Sequence, residues 1–192
     1  MELVKYIIDN STQMVESGGI LTGFFLVVLE CFIPALPLSV FVALNVNAFG
    51  FFVGCIISWV ATCIGSFICY KFFSFIDKKL PDKFLSKKYV KVIKNRIERF
   101  RNIKFSELVL IITLPFTPSS LINILCGLTN MSYKKFVFSL LIGKFFMIFF
   151  WGYIGKSFIE SLTDIKSFIY IVLALILSYV ISKLINKKLK IE

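Results

Sequence analysis

Two apolar stretches of this sequence are each interrupted near the middle by Pro-x-x-Pro: Pro34-Ala-Leu-Pro37 within 20–49 and Pro115-Phe-Thr-Pro118 within 108–129. Four of the five prolines lie in these two places. Proline lacks the backbone donor and clashes with the preceding turn, so two of them three residues apart end one helix and start another. A hairpin that dips into a membrane and returns fits each stretch better than a straight span. Broken backbone at that depth is tolerated only where protein or a water-filled cavity surrounds it.

That a membrane is the setting follows from composition. Hydrophobic residues make up 58% of the 192, with 23 Phe, against roughly 45–50% in soluble domains. Segments 50–76, 136–155 and 168–185 are uninterrupted and each is near the ~20 residues that a helix needs to cross about 30 Å of hydrocarbon. Residues 1–19 mix Glu2, Lys5, Asp9 and Glu16 with isolated apolar residues. They lack the pattern of a cleaved secretory signal and are expected to stay, at the interface. The expected fold is therefore an all-α integral membrane protein, a single membrane domain over 1–192. It divides into an interfacial segment (1–19), a first repeat (20–76), a basic segment (77–107), a second repeat (108–156) and a C-terminal transmembrane helix (166–186).

The repeat comes from sliding the sequence on itself by 81 residues, which sets Pro34 on Pro115, Pro37 on Pro118 and Ser39 on Ser120. Each copy is a broken hairpin followed by a spanning helix, a pattern from which many transporters build a central site. Charge supplies the orientation. The net charge is +11, and segment 77–107 alone holds 11 Lys and Arg against four acids, or +7. Beside apolar spans this reads as the positive-inside bias rather than nucleic-acid binding. With 77–107 cytoplasmic, Lys134, Lys135 and the C-terminal Lys183, Lys187, Lys188 and Lys190 are cytoplasmic too, and the two hairpins enter from opposite faces. An inverted repeat in a multi-pass protein of the cell membrane is the expectation. Within 77–107, Tyr89, Val90, Ile93, Ile97 and Phe100 recur at helical spacing. Lys87, Lys88, Lys91, Lys94, Arg99 and Arg101 fall mostly elsewhere around that helix, the pattern of a basic amphipathic helix on anionic lipid or of a segment that only enforces topology.

Within the apolar blocks, Glu30 is the only acid between Glu16 and Asp77 and stands one turn before the first break. A carboxyl at membrane depth is expensive and by default marks a proton or substrate path. Lys144, midway along 136–155, supplies the opposite charge, either pairing with Glu30 or giving its protons to a carbonyl or a lipid phosphate. Asn45 and Asn47 follow the first break, and Thr113, Thr117, Ser119, Ser120 and Asn123 surround the second. Short polar side chains either satisfy open backbone or line a polar path. Gly127 and the other glycines read as sites of close helix packing. The five cysteines read as packing residues: no CxxC pair and no His exists to build a metal or thiol–imidazole site, and neither metal, cofactor nor catalysis is expected.

At these residues the sequence resembles the VTT-domain superfamily, also called the SNARE-associated Golgi protein or DedA-like superfamily. The resemblance is carried by Glu30-x-x-x-Pro34-x-x-Pro37, Asn45-x-Asn47-Ala48-Phe49-Gly50, Ser58-Trp59 and Gly65-Ser66, then by Leu114-Pro115-x-x-Pro118, Asn123, Gly127, Phe136, Gly143-Lys144 and Tyr153-x-Gly155. It implies re-entrant hairpins meeting from opposite faces and movement of a phospholipid, or of a carrier such as undecaprenyl phosphate, between leaflets, with or without proton coupling. Glu30 corresponds to the family's acidic residue before the first break. An arginine that many members carry two residues before the second motif is Thr113 here, which turns attention to Lys144 as the nearby cation. The expected path residues are Glu30, Lys144, Pro34, Pro37, Asn45, Asn47, Thr113, Pro115, Pro118, Ser120, Asn123 and Gly127. The expected partners are membrane lipids, with a second copy of the chain left open. Two other classes stay open: a proton-coupled small-solute transporter and a non-transporting membrane organiser.

Overall fold

The computed structural model describes residues 2–33, 36–76, 100–117, 119–129, 131–161, 173 and 175–185, with backbone alone for 2–9, 76 and 157–161. Pro34 and Pro118, and Lys87, Lys88, Lys91, Lys94 and Arg99 of the basic segment, lie outside these residues. The described chain is helix and connection, with no strand among the described residues. The helices are α1 (Glu2–Glu30), α2 (Leu38–Phe49), α3 (Phe51–Ile76), α4 (Phe105–Thr113), α5 (Ser119–Leu128), α6 (Tyr133–Ser161) and α7 (Leu175–Ile185).

Local chemistry sets most of the boundaries. Extended backbone at Pro37 (φ −81°, ψ 112°) precedes α2, which opens at the next residue. At its far end Gly50 adopts φ 78°, a conformation that side chains disfavour, so a single residue separates α2 from α3. Near the start of α4, Glu107 accepts a hydrogen bond from the Lys104 backbone amide at 3.0 Å and closes the first turn. Positive φ at Gly19 (68°) kinks α1, and helix continues on both sides of the kink. The helix before the first break therefore begins well before residue 20, and within its polar 10–19 stretch Val15 is buried, 1% exposed.

Three stretches are long and apolar enough to cross a bilayer: Asn10–Glu30, Phe51–Phe75 and Tyr133–Lys156. By contrast α2, α4 and α5 have 12, 9 and 10 residues, or roughly 14–18 Å at 1.5 Å per residue, about half of a ~30 Å hydrocarbon core. The order of elements repeats: α4–α5–α6 follows the plan of α1–α2–α3, and Leu38 and Ser119, 81 residues apart, each open the short helix after the break.

Helix α3 is the centre, packing against α1, α2, α5 and α6. One apolar cluster gathers around the first hairpin, with Val27, Val42, Cys55 and Ile148. A second gathers around the other, with Tyr70, Leu108, Ile111 and Phe136. Polar side chains are also inside: Asn45, Ser58, Thr62, Ser66, Asn123 and Ser139 are nearly or fully buried, while Leu21, Phe52, Phe72, Phe75, Phe138 and Phe146 face outward. Small polar residues within and large apolar residues without is the arrangement of helices solvated by lipid.

Candidate functional site

The two broken turns meet. Between them lies a cavity of about 300 Å³ walled by Glu30, Pro37 and Ser39 of the first half, by Pro115, Thr117, Ser119 and Ser120 of the second, and by Met147 and Trp151 of α6. Helices α2 and α5 both begin at this wall, at Leu38 and Ser119. Their first backbone amides have no partner within the helix, so two positive helix ends face the same space.

Lys144 stands behind the cavity, 2% exposed. One and two turns further along α6, Met147 and Trp151 share its face. Its Nζ donates to Ser119 Oγ at 2.6 Å and lies 3.7 Å from Met147 Sδ. Glu30, 6% exposed, closes the first arm at the opposite wall. The charges of Glu30 and Lys144 act on one another through space, with no direct ion pair between them among the described residues. An ammonium and a carboxyl thus flank one small polar space inside an apolar fold, each costly to bury alone.

Sulfur and hydroxyl groups extend the site through α3. The Cys31 thiol sits 3.8 Å from Glu30 Oε2, 3.6 Å from the Thr62 carbonyl oxygen and 3.7 Å from Ser66 Oγ. Ser66 Oγ in turn accepts a hydrogen bond from Asn123 Nδ2 at 3.0 Å. Cys31 is therefore more than packing: it is the middle of a polar chain from Glu30 to α5. The surrounding apolar stretch makes Cys31 read as packing, whereas beyond the adjacent Glu30 its polar neighbours come from α3.

Of the residues expected on the path, Glu30, Pro37, Pro115 and Ser120 line the cavity, and Lys144 reaches it through Ser119. Four others serve elsewhere. Asn45 donates to Ser58 Oγ at 2.9 Å and to the Gly23 carbonyl at 3.3 Å, tying α2 to α3 and α1. Asn123 ties α5 to α3. Gly127 lies so near α3 that a Cβ there would come within 2.6 Å of the Tyr70 carbonyl oxygen. Thr113 turns its hydroxyl back onto the Val109 carbonyl at 2.8 Å, within its own helix. Asn47, two positions from Asn45 and so on the opposite side of α2, is exposed, as is Arg101. The residues that sequence reasoning underweighted are Ser119, Met147 and Trp151. Helical spacing from Lys144 marks Met147 and Trp151, and position directly after Pro118 marks Ser119.

Comparison with known proteins settles the lineage. The VTT domain matches residues 33–157. The chain belongs to the VTT-domain family. It is 31% identical over 170 residues to the uncharacterized membrane protein YhjE of Bacillus subtilis (strain 168), covering 88% of this chain and 81% of that protein. It is 26% identical over 138 residues to the uncharacterized protein YqeD of the same organism, covering 68% of this chain and 63% of YqeD. No solved structure shows significant similarity. Both broken turns, the cavity and Lys144 fall within the matched VTT region or, for Glu30, just ahead of it, so the site is built where the family domain lies.

Proposed function

We propose that this VTT-domain membrane protein moves an anionic lipid, a phospholipid or a polyprenyl-phosphate carrier such as undecaprenyl phosphate, between the leaflets of the cell membrane. The observation that carries the reading is the cavity between the two breaks, with Glu30 on one wall and the Lys144–Ser119 pair behind the other. Helices α2, α4 and α5 are too short to cross, so each hairpin tip ends part-way into the bilayer, the hairpins entering from opposite faces as an inverted repeat. Segment 77–107, Lys134, Lys135 and the C-terminus face the cytoplasm. A phosphate at the cavity meets one ammonium and two positive helix ends, the charge pattern that half-helix sites offer to anions.

Glu30 is the switch. Ionised, it neutralises Lys144; protonated, it leaves Lys144 free to hold the phosphate, so proton binding and headgroup binding alternate at one place. Cys31, Ser66 and Asn123 connect this exchange to α5.

Leaflet exchange of labelled phospholipid and undecaprenyl phosphate in proteoliposomes, with and without a pH gradient, tests the reading. Glu30→Gln is expected to abolish gradient-dependent exchange in protein that remains folded, and unchanged exchange overturns the switch. The cavity is also the size of a small solute. Uptake of a soluble tracer that is indifferent to lipid composition would favour a proton-coupled solute transporter instead.

A further inference from the structure

A second site lies on the outside of the helix pair α3–α6, away from the cavity between the breaks. A groove of about 690 Å³ runs between these helices, walled by Cys63, Ile64 and Phe67 of α3 and by Val137, Phe138 and Leu141 of α6. It opens toward the surrounding lipid: Ile64 and Phe138 are 44% and 59% exposed. One end differs from the rest. Tyr133 and Lys134, both exposed, close it on α6. The Lys71 ammonium lies 5.7 Å from the centre of the Phe67 ring and 5.9 Å from that of Tyr133. Two ammonium groups and a tyrosine therefore share one mouth, the groove behind them is apolar, and among the described residues none of its walls is acidic.

The geometry points to a bound anionic phospholipid, its phosphate held at Lys71 and Lys134 and one acyl chain laid along the groove as far as Leu141. The match is one of charge and shape. From Lys134 to Leu141 the helix advances about 10 Å, room for a substantial run of acyl methylenes. At the mouth an aromatic ring beside basic groups suits the headgroup level of the bilayer. On the orientation proposed above, that mouth faces the cytoplasmic leaflet, where anionic lipid meets basic residues. The site does not depend on transport: its occupant stays on the flank of α3 and α6, bracing the α3–α6 contact from outside.

Native mass spectrometry of the full chain released from vesicles of equal phosphatidylglycerol and phosphatidylcholine tests the assignment. One phosphatidylglycerol per chain is expected, enriched on the order of tenfold over phosphatidylcholine, given the attraction of two surface lysines. The double substitution Lys71→Gln with Lys134→Gln should bring that enrichment to parity. Val137→Trp, which fills the groove and keeps both lysines, should remove the bound lipid altogether. Inorganic phosphate added in excess should leave the lipid in place. No enrichment in the wild type, enrichment unchanged in either variant, displacement by free phosphate, or a dimer in place of the lipid adduct would each overturn the site. Transport lost in Glu30→Gln with this lipid retained would separate the two sites.

Discussion

The two helix pairs that flank the breaks come in the same order and pack differently: α1 lies along α2, whereas α4 packs on α6 and α5 on α3. In the first, α1 runs 29 residues and its described span is long enough to cross, while α2 returns for 12. In the second, α4 and α5 have 9 and 10 residues, each too short to span the hydrocarbon by itself. The first brings its own charge, Glu30, at the end of its long arm. To the cavity the second brings only hydroxyl residues, Thr117, Ser119 and Ser120, and the charge there comes from Lys144 on the helix that follows. The chemistry is divided between the halves: the acid stands at the end of α1, and the base on α6 is held by the first residue of α5. The cavity draws on both halves, since neither supplies it with both an acid and a base.

The sharpest way to break this comparison is to remove the borrowed charge. Lys144 is buried, holds a hydroxyl, and has no direct ion pair among the described residues. A buried charge without a close partner costs stability, and replacement by an apolar residue of similar volume is often neutral or stabilising. Lys144→Met should therefore lower lipid exchange about ten- to a hundredfold, the worth of a hydrogen bond to a charged group, while thermal unfolding in detergent holds steady or rises. A fall in both would make Lys144 a structural member of α6 and leave the second hairpin with no part in charge recognition.

A smaller effect distinguishes how the hairpins are fastened to α3. At Gly54 a Cβ would come within 2.6 Å of the Val46 Cα on α2, and at Gly127 within 2.6 Å of the Tyr70 carbonyl oxygen. In both cases the obstacle is backbone, which cannot swing aside. Valine at either position should cost about 1–3 kcal/mol by overpacking, read from unfolding in a graded denaturing detergent. Equal losses would say that both hairpins are clamped alike; a loss confined to Gly54→Val would make the second hairpin the mobile one.

How much of this was legible in the sequence depends on whether the cause was local. Proline acts on its own helix, so both breaks and the offset of 81 residues could be read directly, and Pro37 and Ser119 bound α2 and α5 as the repeat implies. Glu30 and Lys144 were legible because a charge inside an apolar run has few innocent explanations. The unread features all depend on which way a helix faces. Asn45 and Asn47 are alike in sequence, yet one joins α3 and the other is exposed. Thr113 stands just before the second break, but its hydroxyl is consumed by the Val109 carbonyl within its own helix. Cys31 reads as inert because the hydroxyls it touches, beyond the adjacent Glu30, come from α3. Residues 10–19 are polar in sequence yet helical, and which of them is buried, Val15, depends likewise on the way α1 faces.

The finest comparison sets Asn45 against Asn123. Each donates from Nδ2 to a serine of α3, Ser58 at 2.9 Å and Ser66 at 3.0 Å. Asn45 also reaches the Gly23 carbonyl at 3.3 Å, so it holds three helices where Asn123 holds two. Interhelical hydrogen bonds in membranes average about 0.6 kcal/mol and reach about 1.7. Asn45→Ala should therefore destabilise by up to roughly twice the average, and Asn123→Ala by about the average itself. The energies run one way and function runs the other. Asn123 acts on Ser66, whose hydroxyl touches the Cys31 thiol beside Glu30. Its loss should slow gradient-dependent exchange more than the loss of Asn45, although it costs less stability. If activity instead follows stability across the pair, the polar chain through α3 is scaffolding, and coupling between the hairpins runs only through the cavity they share.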